Sequence, residues 1–431
     1  MKKAVLIFAS LSLWCSGQAK EWTLQECIDY ALANNLTVLQ RSNDAFQAEN
    51  ELTAAKDAVL PTLSAQGQQS WNFGRGLTAS NTYADRNTMN FGVNVGLNLP
   101  LFQGLQTVRQ IKYQRTYLSA MLENLESAKD DIALQVMAQY LQVLYSQEME
   151  EIARSQAELT AEELNRRQAL LDVGRIPEAD MLDAKSQDAQ ARMQYVTAQN
   201  DTRLALLDLS QLLRLETAED FTIVKPDEPL PQLRDPRQVY ESAMSINHSV
   251  LAGRKQVEAA GEQIKVAQTG WIPKLSFSAG LGSNYYKISG MPNEKFGEQF
   301  KNNFAQYVGL NLNIPIFDAF QTRNSVRRAK VNRLSTELNF EAASDNLFKS
   351  IQQSYYQAVG ARERHSAAEV AVTSSEASLE AVKEKYGLGR ATAVEFDNAK
   401  NQYVKALSER AQSKFELLLR AKVLDFYATG R

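Results

Sequence analysis

The chain has 431 residues, of which 44% are hydrophobic and 23% charged, the balance of a folded chain rather than a disordered one. A net charge of −3, with no lysine-rich basic stripe interleaved with aromatics, argues against nucleic acid as a partner. The two histidines, His248 and His365, have no second ligand at metal spacing, and the chain shows no nucleophile elbow, phosphate loop or dinucleotide fingerprint, so no enzyme, metal or cofactor is expected.

At the N-terminus Lys2 and Lys3 precede a short apolar core, Ala4 to Trp14, with the small residues Gly17 and Ala19 after it. This pattern predicts a signal peptide over 1–19, cut after Ala19, with an apolar core too short to span a bilayer as a helix. The alternative is a lipoprotein signal using Cys15, which the bulky Trp14 just before it disfavours. Cleavage leaves only Cys27, which has no partner for an intrachain bridge and reads as a half-buried helix residue. No later run reaches 18 consecutive apolar residues, so an exported chain of this kind is either soluble or a β-barrel.

The mature chain is written twice. Leu60-Pro61 aligns with Ile272-Pro273, and Leu99-Pro100-Leu101-Phe102 with Ile314-Pro315-Ile316-Phe317. Gly174-Arg175 aligns with Gly389-Arg390, and Ala184-Lys185 with Ala399-Lys400. The spacing predicts one repeat over 20–215 and a second over 238–431, joined at 216–237 by a linker that holds Pro226, Pro229, Pro231 and Pro236. Each repeat opens with a helix, Glu21 to Leu60 or Gln238 to Gly270. A β region follows, with strands predicted over 62–73 and 88–99, then over 274–287 and 304–314.

From Leu105 to Val173 there is neither glycine nor proline, and Leu118, Leu122, Leu125, Ile132, Val136, Tyr140 and Val143 recur at the spacing of a coiled-coil seam. At 1.5 Å per residue this is about 100 Å of helix. Leu347, Ile351, Tyr355 and Val359 mark the equivalent seam of the second repeat, where Gly360 is expected to interrupt it. Turns near 174–178 and 387–391 return the chain as second helices, so each repeat forms a long helical hairpin. Pro100 and Pro315 are expected to turn a strand into a helix, and Gly174 and Gly389 to cap helix ends.

The β segments carry a period of two. Met89, Phe91, Val93, Val95, Leu97 and Leu99 alternate with Asn90, Gly92, Asn94, Gly96 and Asn98, and Val308, Leu310, Leu312 and Ile314 alternate with Gly309, Asn311 and Asn313. A half-exposed soluble sheet alternates equally well. The export signal, the long helices and aromatics clustered near the segment ends (Trp71, Phe73, Tyr83, Trp271, Tyr285, Tyr286, Phe304, Tyr307) favour a barrel with lipid outside and water inside. Four strands in lipid would leave unpaired edges, so other subunits must complete the cylinder. Two, three or four chains all satisfy that arithmetic.

The tandem repeat, the Leu-Pro-Leu-Phe (99–102) and Ile-Pro-Ile-Phe (314–317) segments, and the hairpin tips at 171–184 and 386–399 resemble the TolC-like outer-membrane efflux family over essentially the whole mature length. The resemblance implies an α+β membrane protein, a homotrimer whose four strands per chain build a twelve-stranded barrel in the outer membrane of a Gram-negative bacterium, above a coiled-coil tunnel through the periplasm. It implies passage of small molecules from an inner-membrane pump through a periplasmic adaptor that meets the hairpin tips. The adaptor-contact positions are Gly174, Arg175, Ile176, Gly389, Arg390 and Ala391.

Family members close their entrance with acidic residues near the tips. The matching positions are Asp180 and Glu395, then Asp183 and Asn398. Asn398 departs from the acidic pattern, with Asp397 next door as a substitute. Arg175 and Arg390 at the turns could pair with carboxylates brought together about the trimer axis. Two other readings stand beside efflux: the exit duct of a type I protein secretion system, and a secreted or periplasmic coiled-coil scaffold or adhesin.

Overall fold

The computed structural model describes residues 21–77, 81–215, 221–225 and 232–430. The expected signal peptide, its cut after Ala19, Cys15 and most of the proline-rich linker lie outside the described residues. The elements in chain order are β1 (Glu21–Trp22), α1 (Leu24–Asn34), α2 (Leu36–Asp57), β2 (Thr62–Asn72), β3 (Arg75–Leu77), β4 (Tyr83–Asp85), β5 (Thr88–Phe102), α3 (Gln106–Asp172) and α4 (Glu178–Leu213). The linker holds β6 (Thr222–Ile223), and the chain continues with α5 (Pro236–Ile246), α6 (His248–Gln268), β7 (Lys274–Ile288), α7 (Phe296–Asn302), β8 (Ala305–Asn313), α8 (Gln321–Gly387) and α9 (Ala393–Thr429). The chain divides into two compact units. One takes residues up to Ser42, Asn124–Val250 and Ser344 onward; the other takes Asn43–Glu123 and Leu251–Ala343.

Local chemistry explains where the helices begin and break. Thr23 opens α1 with a capping box: its hydroxyl accepts from the Glu26 N–H at 3.3 Å, and the Glu26 carboxylate accepts from the Thr23 N–H at 2.9 Å. The single helices expected over 21–60 and 238–270 are each two. Asn35 and Asn247 take extended backbone angles, and their side-chain oxygens accept from the N–H groups of Thr37 (2.8 Å) and Val250 (3.2 Å), starting a fresh helix. Gly360 does not interrupt α8, which runs unbroken for 67 residues. One helical glycine costs about 1 kcal/mol, too little to stop a helix packed along its length.

The unit of β strands is a four-stranded antiparallel sheet in the order β2-β5-β7-β8. Its register places Leu63, Leu97, Ala279 and Val308 side by side on one face. The next rung, Ser64, Gly96, Gly280 and Tyr307, lies on the other. The apolar face is open in the single chain: Leu63 is 71% exposed, Val308 73% and Leu310 68%. Pro100 does not turn the strand into a helix. It lies inside β5, next to a bulge at which Leu101 is the extra residue, as expected for a residue with no N–H to give a ladder. The turn itself falls at Gly104 and Leu105, both with φ near +60°, and the second repeat repeats this geometry with Ala319 and Phe320. No helix among the described residues is long and apolar enough to cross a membrane, which leaves a β-barrel untouched.

The other unit has the larger core. Ile132, Val136, Tyr140, Val143 and Leu144 of α3 pack with Leu209 and Leu213 of α4, Phe415 and Leu418 of α9, and Cys27, which is fully buried. Of the seam predicted in α3, Leu122 is 48% exposed in the single chain. The linker contributes more than a tether: β6 pairs in parallel with β1, Phe221 and Ile223 are buried, and the Tyr140 hydroxyl reaches the carbonyls of Trp22 and Val224.

Candidate functional site at the hairpin tips

Both tips close α3 and α8 in the same way. Gly174 takes φ +69° and Gly389 φ +71°. The N–H of Gly174 donates to Leu171 and that of Arg175 to Leu170, and the N–H of Gly389 donates to Tyr386 and that of Arg390 to Lys385. These paired bonds are the Schellman ending, which satisfies the last helical carbonyls. Arg175 and Arg390 therefore contribute backbone to the turn and present exposed guanidinium groups beside the exposed glycines, while Ile176 and Ala391 are half-buried.

The return helices start differently. The α4 cap is Pro177, without a side-chain bond, followed by Glu178 and Asp180 in the first turn. Thr392 caps α9 with a complete box: its hydroxyl accepts from the Glu395 N–H at 3.2 Å, and the Glu395 carboxylate accepts from the Thr392 N–H at 2.7 Å. The carboxylate also accepts from the Thr392 hydroxyl at 2.9 Å, and its two bonds from Thr392, backbone first and hydroxyl second, hold the Glu395 carboxyl below its ordinary value. Asp183, Glu395 and Asn398 are exposed, and Asp180 is half-buried.

Asp397 is the exception, and it corrects the reading that makes it an entrance carboxylate in place of Asn398. It lies among four helices, its side chain 12% exposed. One oxygen accepts from Lys400 Nζ at 3.1 Å; the other accepts from Gln187 Nε2 at 2.9 Å and from the Arg167 guanidinium at 3.4 Å. Arg167 also donates to Glu163 at 2.9 Å, and Glu163 accepts from the Tyr386 hydroxyl at 2.6 Å. Two acids and two bases are thus neutralised together, with the Arg167 and Lys400 side chains 4% and 5% exposed. Tyr386 stacks on Phe396 at 5.2 Å and carries the Arg166 guanidinium on its ring at 4.9 Å.

Burial disfavours the charged Arg167, but the bond to Glu163 and the neighbouring Tyr386 and Asp397 outweigh it and raise its pKa. Burial first, then the bond to Glu163, pushes the Tyr386 phenol up. This clasp holds together α3 and α4 of the first repeat and α8 and α9 of the second. Glu163, Arg167, Gln187, Tyr386 and Lys400 are absent from any sequence-level site, because Arg167 and Asp397 stand 230 residues apart and share no local motif. Among the described residues no cluster of three or more His, Cys, Asp or Glu side chains could hold a metal ion.

The family profile described as outer membrane efflux protein matches twice, over residues 27–213 and 239–425. The chain belongs to the outer membrane efflux protein family. The two matches coincide with the two repeats. Among relatives of this family, the outer membrane efflux protein BepC of Brucella suis is 25% identical over 410 residues, covering 95% of this chain and 85% of its own. The outer membrane protein TolC of Escherichia coli is 24% identical over 433 residues, covering 97% and 85%. The crystal structure of the outer membrane protein VceC of Vibrio cholerae has the same fold, with a TM-score of 0.76, 16% identity, and coverage of 94% of this chain and 95% of that one. As an outer membrane efflux protein the chain is an outer-membrane component, and its two-repeat α+β architecture is that of the family's channels.

Proposed function

We propose that this chain is one subunit of a homotrimeric exit duct, passing small molecules delivered by an inner-membrane pump and a periplasmic adaptor. One observation carries the reading. The sheet has four strands, an exposed apolar face and, among the described residues, a single neighbour for each of β2 and β8. In hydrocarbon each bare edge group costs several kcal/mol. Three copies close a twelve-stranded antiparallel barrel, wide enough for a channel.

The tips serve as adaptor surface through Gly174, Arg175, Ile176, Gly389, Arg390 and Ala391. Asp180, Asp183, Glu395 and Asn398 line the periplasmic entrance, with Arg175 and Arg390 as counter-charges between subunits. Asp397 acts from inside: the clasp locks the two hairpins of one subunit together, and adaptor engagement would have to loosen it. The signal peptide would be removed on export, near Ala19.

The test is the oligomeric state and conductance of the mature protein. A detergent-dependent trimer that conducts in planar bilayers, with cation selectivity altered by E395A, is expected. A folded monomer that stays dissolved without detergent would end the proposal. Cross-linking from cysteines at positions 175 and 390 to periplasmic adaptors, against components of a protein-secretion system, separates efflux from protein export.

A further inference from the structure

β7 is longer than the strand beside it. β8 covers β7 only from Lys274 to Gly282, whereas β7 continues to Ile288. Beyond Gly282 the backbone groups of Asn284, Tyr286 and Ile288 point away from β5 and would form a bare edge at the end of the sheet. They are not bare. Asn303 Nδ2 donates to the Asn284 carbonyl at 2.8 Å. Gln299 pairs with Tyr286 in both directions, accepting from its N–H at 2.9 Å and donating to its carbonyl at 3.0 Å. Asn293 does the same with Ile288, at 2.8 Å each way.

Three side-chain carboxamides, each with the donor and acceptor of a peptide group, thus continue the ladder that β8 abandons. The segment that carries them is pinned to the sheet. Phe296 packs against Phe91 (5.9 Å) and Tyr285 (5.2 Å), which share one rung of the ladder, and stacks on Phe300 (5.3 Å). The Ser283 hydroxyl donates to the Phe300 carbonyl.

An unpaired strand edge is a template for whatever strand arrives next. This sheet has an edge that must accept a strand and, beside it, one that must refuse. We propose that residues 293–303 are an edge guard. They deny the end of β7 to an incoming β2 of a second copy, so that β2 adds only along β8, at Ala305–Asn313. β8 is antiparallel to β7, β7 to β5 and β5 to β2, so β2 of the next copy adds to β8 antiparallel. Its eleven residues suffice to span the nine of β8. The guard holds the count at four strands per subunit and prevents a copy from bypassing β8.

The inference rests on the barrel reading, and the experiment separates the two. Subunits carrying Q68C alone are assembled in membranes together with subunits carrying Y307C alone, or Y286C alone, and treated with a short bis-maleimide; Cys27 is fully buried. The first pair should cross-link between subunits and the second should not. If the first pair fails, the barrel reading falls. Adding N293A and Q299A should raise the product of the second pair at least fivefold and lower the yield of assembled oligomer. Q299E, which still accepts from Tyr286 but has lost the donor for its carbonyl, should give a smaller rise, and it is read alone should the double variant not reach the membrane. A working first pair with no increase in the second from either variant would overturn the guard.

Discussion

Replacing Asp397 by alanine removes the carboxylate that answers Lys400 and half of what answers Arg167. Arg167 keeps Glu163 at 2.9 Å, but Lys400, with its side chain 5% exposed, loses the one ion-pair partner that it has among the described residues, Asp397 at 3.1 Å. Leaving a buried charge unpaired costs about 3–5 kcal/mol, which raises the local opening of the tip by about two to three and a half powers of ten. The assay is amide hydrogen exchange on the assembled protein in detergent. Protection over 163–172 and 393–403 should collapse, while protection in the core around Val136 and Leu209 should hold. A second variant, D397L with K400M, removes both charges, leaves the Arg167–Glu163 pair intact, and should recover most of the protection. Single-channel recordings should show the alanine variant dwelling open longer and the double variant near the parent. If D397A protects its tip within twofold of the parent, or if the double variant is as loose as the single, the clasp does not hold the hairpins and the gating argument built on it is wrong.

Three further outcomes follow from geometry. G389A should lower stability by about 1 kcal/mol, because φ is +71° and nothing stands within 4 Å of the added methyl; chemical denaturation of G389A measures a cost that is backbone alone, and G174A should match it. A319G should gain about 0.5–1 kcal/mol, since Ala319 sits at φ +51° where glycine is at ease; a lower melting temperature would contradict this. The Glu395 carboxyl is depressed below 4.5 by Thr392. Its stabilisation of the α9 start is therefore present above that value and lost as pH falls through the folded pKa. Protection factors at amides 393–396 should drop on acidification, and in T392A they should be low throughout.

The local sequence determined much of the architecture. Strict alternation over Met89–Leu99 reports a strand with one wet and one apolar face, and the 67 residues of α3 are legible because nothing in them bends or stops a helix. Gly174 and Gly389 mark the tips because only glycine takes φ near +70° without strain. The tertiary structure decided the rest. Asn35 and Asn247 are tolerable in a helix interior and also good caps, and the folded chain uses both as caps. Pro100 could end a strand or sit at a bulge, and pairing with β7 chose the bulge. Asp397 lies beside an exposed asparagine in sequence, yet one step along a helix rotates a side chain by about 100°. That rotation carries it to Gln187 and Arg167, residues more than two hundred positions away. Periodicity encodes which face a residue is on, but a cluster gathered from four helices exists only once the chain has brought them together.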